Sequence, residues 1–208
     1  MPRLISITTP ALLVLLLAVS GHSQTSVGVR GGFSYSELAG EIKTDSKSGF
    51  LIGAFVGFGI AGNLGIRPEI SYVQKGAKVE GSDLATGEPL SQTTDIDYFE
   101  LLIPVGIDLA VEGETVQPRL YVGPTLGLAL SCEFDPDTGD PSQDCKDDFK
   151  SSDFGVVFGV GVELGSGPGA FLADLRYDYG IADINDTGDN ISKKNRSIQL
   201  SFGYRRQF

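Results

Sequence analysis

The chain has 208 residues, with 27 Asp and Glu against 16 Lys and Arg, a formal charge of −11 and a single histidine. An acidic chain without a basic stripe interleaved with aromatics excludes nucleic acid as a partner. One histidine leaves little room for Ser-His-Asp, Cys-His or Asp-His catalysis, or for most catalytic zinc sites.

The chain opens with Arg3 and the apolar run from Ala11 to Val19. That run is too short to cross a bilayer as a helix. A basic start, a short apolar stretch and the small residues Gly21 and Ser23 predict a signal peptide over residues 1–23, cut after Ser23. The alternative is an uncleaved anchor. No Cys follows the run, which excludes a lipoprotein signal. Removing the leader takes Arg3 and no acid, so the charge moves from −11 to about −12. It also takes His22, the only histidine. The remainder, 24–208, fits one domain. The sequence predicts no catalytic residue, no cofactor and no enzyme.

Eight segments then alternate with period two, the mark of half-buried strands. They are Ser26–Ser36, Gly49–Ile60, Leu64–Gly76, Asp95–Val111, Val116–Ser131, Phe154–Gly165, Ala170–Ile181 and Arg196–Phe208. The joins at 61–63, 112–115 and 166–169 are tight and turn-like. The other four, 37–48, 77–94, 132–153 and 182–195, are long and polar. Short turns on one rim and long connections on the other predict an up-and-down meander.

One parity of these segments carries no charge. It reads Phe50, Ile52, Ala54, Val56, Phe58, Ile60 in the second and Phe171, Ala173, Leu175, Tyr177, Tyr179, Ile181 in the seventh. The opposite parity carries Arg30, Arg67, Glu69, Lys75, Glu100, Asp108, Arg119, Glu163, Asp174, Arg176, Asp178 and Arg205 among glycines and serines. A soluble barrel of lipocalin type has the reverse arrangement, apolar inside and polar outside, because unpaired charges are costly to bury. Six cations against six anions suit an enclosed lumen neutralised by ion pairs. The expected fold is therefore all-β, an eight-stranded antiparallel up-and-down transmembrane β-barrel, apolar outside and polar inside. Closure pairs every backbone group, as lipid demands. Strands of about eleven residues at ~3.3 Å each, tilted near 40°, span roughly 25–28 Å, the height of such an apolar band. This assignment requires Phe158, Leu175 and Leu200 to face outward and Arg67 and Glu100 to face inward. Pro68, Pro104, Pro118 and Pro124 fall inside the predicted strands, where bulges or rim positions must absorb them.

The stretch YFELLIPVGIDLAVEGETVQPRLYVGPTLGLAL, Tyr98–Leu130, resembles the PorT-like outer-membrane β-barrel domain proteins of Bacteroidetes. There an aromatic-acid-aliphatic-Pro strand, here Tyr98–Pro104, turns into one with Y-x-G-P, here Tyr121–Pro124. The stretches Gly28–Ser36 and Arg67–Gly76 and the terminal aromatic fit the same pattern. The resemblance implies an eight-stranded barrel in the outer membrane of a Gram-negative bacterium after Sec-type export, with outer-membrane lipid and the barrel-assembly machinery as partners. It implies no catalytic residues. In such barrels an aromatic-terminated strand is the insertion signal, which here falls on Phe202, Tyr204 and Phe208. Phe208 also suits an interfacial anchor.

Four further patterns carry possible chemistry. Gly57, Gly59 and Gly62 have dinucleotide-motif spacing, but a turn and a strand follow where that motif opens a helix. Two acidic stretches, 135–144 and 183–190, offer weak calcium candidates in Asp135, Asp137, Asp140, Asp183, Asn185 and Asp189. Neither supplies a full calcium loop, and solvated acidic loops are the favoured reading. Asp174 and Asp178 flank Arg176, an arrangement that favours structural ion pairs over acid–base work. Cys132 and Cys145 predict a disulfide in an exported protein. The expected role is a non-enzymatic scaffold displaying acidic loops for surface interaction, adhesion or envelope integrity. A narrow solute channel and a soluble ligand-binding barrel are the alternatives.

Overall fold

The computed structural model describes residues 25–40, 44–82, 89–109, 115–136, 141–165, 168–187 and 191–208; the predicted leader lies outside them. In chain order the strands are β1 (Thr25–Gly40), β2 (Asp45–Ala61), β3 (Leu64–Ile66), β4 (Glu69–Ser82), β5 (Pro89–Leu102), β6 (Val105–Asp108), β7 (Val116–Pro136), β8 (Gln143–Asp144), β9 (Ser152–Leu164), β10 (Gly169–Gly180) and β11 (Lys193–Gln207). β3 and β4 form one stave, as do β5 and β6, and β8 is a short flap paired only with β7. Eight staves therefore run antiparallel in chain order. β11 returns to β1, pairing from Ser26↔Gln207 to Gly40↔Lys193, and closes the barrel. Closure leaves the staves no free edge, which is what a hydrocarbon environment requires.

The two faces separate as the alternation demands. Phe158 is 54 % exposed, Leu175 48 % and Leu200 44 %, whereas Arg67 is 5 % and Glu100 6 % exposed. The outer wall is a continuous coat of Val, Leu, Ile, Phe and Tyr. This is the opposite of a lipocalin-type barrel. Rings pair along the wall, Phe50 with Tyr72 at 5.5 Å and Phe171 with Tyr204 at 5.4 Å between centroids.

The prolines are absorbed in two ways. Pro68 and Pro104 sit in the gaps that divide β3 from β4 and β5 from β6. Their carbonyls still accept from neighbouring staves, Val56 N–H to Pro68 at 3.0 Å and Arg67 N–H to Pro104 at 3.1 Å. Ile103 N–H continues the series to Pro124 at 3.1 Å. Each break thus loses ladder geometry locally while the wall stays bonded. Pro118 and Pro124 lie within β7, in register with Val162 and Val156 of β9.

The strands outrun the predicted segments at the long-connection rim. β1 continues to Gly40 and β2 starts at Asp45, so most of 37–48 is hairpin rather than loop. β4 and β5 pair from Ala77↔Thr94 to Ser82↔Pro89 across the predicted 77–94 connection. β7 runs to Pro136, and β11 begins at Lys193. Hydrophobic alternation reports only the part of a strand that faces hydrocarbon. Beyond it both faces accept polar residues while the backbone ladder continues. At the other rim, the 61–63 join turns through Gly62 at φ +54°, a conformation glycine adopts without strain.

Candidate functional site

The lumen gathers the charged parity into three tiers, and the staves that supply them explain the geometry. In the middle tier, Arg30 on β1 places Nε 3.1 Å from Glu69 Oε2 on β4 and Nη1 3.3 Å from Asp174 Oδ2 on β10. Arg176 on β10 reaches the other Glu69 oxygen at 3.0 Å. All four side chains are buried. Phe55 is buried beside them, its ring 5.0 Å from the Arg30 guanidinium and 4.9 Å from that of Arg67. Stacked guanidiniums keep their in-plane donors free for carboxylates.

Towards the short-turn rim, Glu163 on β9 receives Arg67 on one oxygen and Arg205 on the other, the latter at 2.5 Å. Arg119 on β7 pairs with Asp108 on β6 at 3.2 Å. Towards the long-connection rim, Lys75 on β4 contacts Asp178 on β10 and lies 2.5 Å from Glu100 on β5. Every predicted lumen charge therefore faces inward, with Asp108 and Arg205 only partly buried.

The lumen also holds partners that the alternation pattern misses. Asn195 Nδ2 donates to Asp153 at 2.8 Å and to the Tyr98 hydroxyl at 3.0 Å. Asp153 and Asn195 fall in predicted connections, but they belong to β9 and β11 and point inward. Tyr98 is the inward neighbour of the outward Phe99, and its parity with Glu100 is the signal for it. Lys47 and Asp95 form a further pair nearer the rim. Glycines make room for the larger groups: a Cβ at Gly159 would stand 2.1 Å from the Tyr121 ring.

An apolar cluster closes the long-connection end. Leu38, Ala77, Ile96 and Tyr98 from the staves pack with Cys132, Cys145, Phe149 and Ile184. Cys132 and Cys145 form the disulfide, which ties the segment after β7 back onto that stave. Phe149 bridges to Asn185, joining two connections over the lumen. Among Arg30, Arg67, Glu69 and Tyr121 the internal cavity is only about 10 Å³. That is near the least space one water needs. In this middle tier the charges pair, the walls are cross-linked, and little space remains for a solute.

The calcium candidates divide. Asp137, Asp140 and Asp189 lie outside the described residues. Asp183 is exposed, and its carboxylate accepts the N–H of Lys193 at 2.9 Å and of Asn185 at 3.1 Å. The Lys193 amide first, then that of Asn185, holds this carboxyl below its usual range. Asn185 is buried and gives its Nδ2 to the Ile191 carbonyl at 2.8 Å. These contacts close a turn. Among the described residues no three His, Cys, Asp or Glu side chains group as metal ligands. The dinucleotide-spaced glycines occupy β2 and its turn rather than a helix start. At the C-terminus, Phe202, Tyr204 and Phe208 point outward, and the Phe208 N–H donates to Thr25 O at 2.9 Å.

Known structures share the architecture. The chain is similar to Neisserial surface protein A, with 20 % identity, a TM-score of 0.51 and coverage of 88 % of this chain and 97 % of that one. It is also similar to a major outer membrane protein of Thermus thermophilus, with 17 % identity, a TM-score of 0.58 and coverage of 90 % and 100 %. No curated protein sequence matches the chain. Over residues 21–186 it matches the model of one family, described as the outer membrane protein beta-barrel domain. The match spans most of the chain, and this chain belongs to the outer membrane protein beta-barrel domain family.

Proposed function

We propose that the chain is a non-enzymatic outer-membrane scaffold of the PorT-like kind, which holds acidic connections at the cell surface for adhesion, surface interaction or envelope integrity. The observation that carries this reading is the blocked lumen: charge pairs cross its middle and an apolar cluster closes one end. A filled barrel of this width leaves the rims as the working surfaces. The long-connection rim is assigned as the outer one, as in barrels with short periplasmic turns. It bears Asp135, Asp144, Asp147, Asp148 and Asp186. Export would use the 1–23 leader, and the assembly machinery would read the strand ending in Phe202, Tyr204 and Phe208.

Two measurements test the proposal together. Membrane fractionation with heat-modifiable gel mobility should place a folded barrel in the outer membrane, and external protease should cut the 132–153 segment on intact cells. The purified barrel in planar bilayers should pass almost no current. Regular conductance steps from the folded wild type would replace the scaffold with a channel.

A further inference from the structure

A second cavity lies at the short-turn mouth, next to the central network and sharing Arg67 and Arg119 with it, with a volume of about 110 Å³. Charged side chains lining it are Arg67, Arg119 and Arg205 against Asp108 and Glu163. Three cations less two anions leave one formal positive charge, in a chain whose total is −11. The ion pairs there do not use every donor. Arg119 Nη2 and Arg67 Nε are buried and make no hydrogen bond among the described residues, in side chains that are each only 7 % exposed. Arg119 Nη2 packs against Gly106, where a Cβ would stand 2.8 Å away, and the space beside Gly57 is shared with the Ser26 hydroxyl, 2.5 Å from a Cβ there. A Cβ at Gly65 would stand 4.0 Å from Arg119 Nη2, and one at Gly57 would stand 3.8 Å from Arg67 Nε. Gly57 and Gly65 line the same cavity. Buried donors without acceptors are costly, and guanidinium forks match planar or tetrahedral oxyanions.

We propose that this mouth binds one small oxyanion, a phosphate- or carboxylate-type group, between Arg119 Nη2 and Arg67 Nε. The anion cancels the surplus charge and satisfies both donors. It enters from the short-turn side, where Gln207 flanks the opening and accepts from Arg205 Nη1 at 3.2 Å. The site is independent of what the opposite rim does.

The test is calorimetric titration of the purified, folded barrel in micelles with inorganic phosphate, in phosphate-free, low-chloride buffer. One saturable site per barrel is expected. Arg119→Gln should weaken it about tenfold or more, the scale of a lost charged hydrogen bond. Gln207→Glu leaves the buried arginines in place and adds a negative charge at the mouth. It should weaken binding about fivefold, and it decides the matter if Arg119→Gln does not fold. Glycerol 3-phosphate binding as well as inorganic phosphate assigns the site to the phosphate end of a larger molecule; binding of the inorganic ion alone assigns it to a free ion. No saturable heat from the folded wild type overturns the proposal, as does binding that both variants leave unchanged.

Discussion

Arg176 and Glu69 meet at 3.0 Å across the full width of the barrel, from staves that lie opposite one another in the ring. Lys75 and Asp178 bridge the same two staves nearer the long-connection rim, and Asn195 and Tyr98 bridge the next opposed pair at 3.0 Å. The lumen is thus cross-braced along its length.

Glu69 holds two buried guanidiniums, so Glu69→Gln should be severe. Removing one partner of a buried pair typically costs about 3–5 kcal/mol, because a charge is left uncompensated. Urea unfolding of the barrel in lipid vesicles, followed by gel mobility, should show this loss. A loss below about 1 kcal/mol would mean that water reaches the centre freely.

The outer wall gives the complementary result. Leu175 faces outward at mid-strand on β10. Leu175→Arg should cost about 2–4 kcal/mol in a bilayer if that position lies at the midplane. Folding titrations into vesicles measure it directly. A neutral substitution there would contradict contact with hydrocarbon.

The disulfide closes a loop with a sequence separation of 13. In the chain-entropy model such a link contributes about 3 kcal/mol to the segment it constrains. Cys132→Ser with Cys145→Ser should speed proteolysis around Phe149 while the barrel keeps its heat-modifiable mobility. Loss of the folded band in the double variant would show that the apolar plug supports the whole barrel rather than its own end.

Asp183 ties the connection before β11 to the Lys193 amide. Its folded pKa is depressed, so its contribution is present above the unfolded carboxylate value, about 3.9, and fades as pH falls through the lower folded value. The protection of the Lys193 and Asn185 amides, taken relative to their intrinsic exchange rates, should therefore fall on acidification below about pH 4. Asp183→Asn should remove that pH dependence. Equal pH profiles for the two proteins would refute the turn-closing role.

Much of the fold is legible in the amino-acid chain alone. Side chains of a strand alternate strictly, so Leu200 against Gln199, or Phe99 against Glu100, assigned both faces and hence the transmembrane barrel. The same alternation named the charges of the lumen, since a charge on the lipid parity would be prohibitive. What alternation does not carry is distance around the ring. That Arg176 pairs with Glu69, that Asp153 and Asn195 continue as inward strand residues, and that Phe149 and Ile184 fold over the mouth to plug it depend on closure, stagger and connection paths. These bring together residues as far apart in the chain as Thr25 and Phe208, and only the tertiary structure decides them.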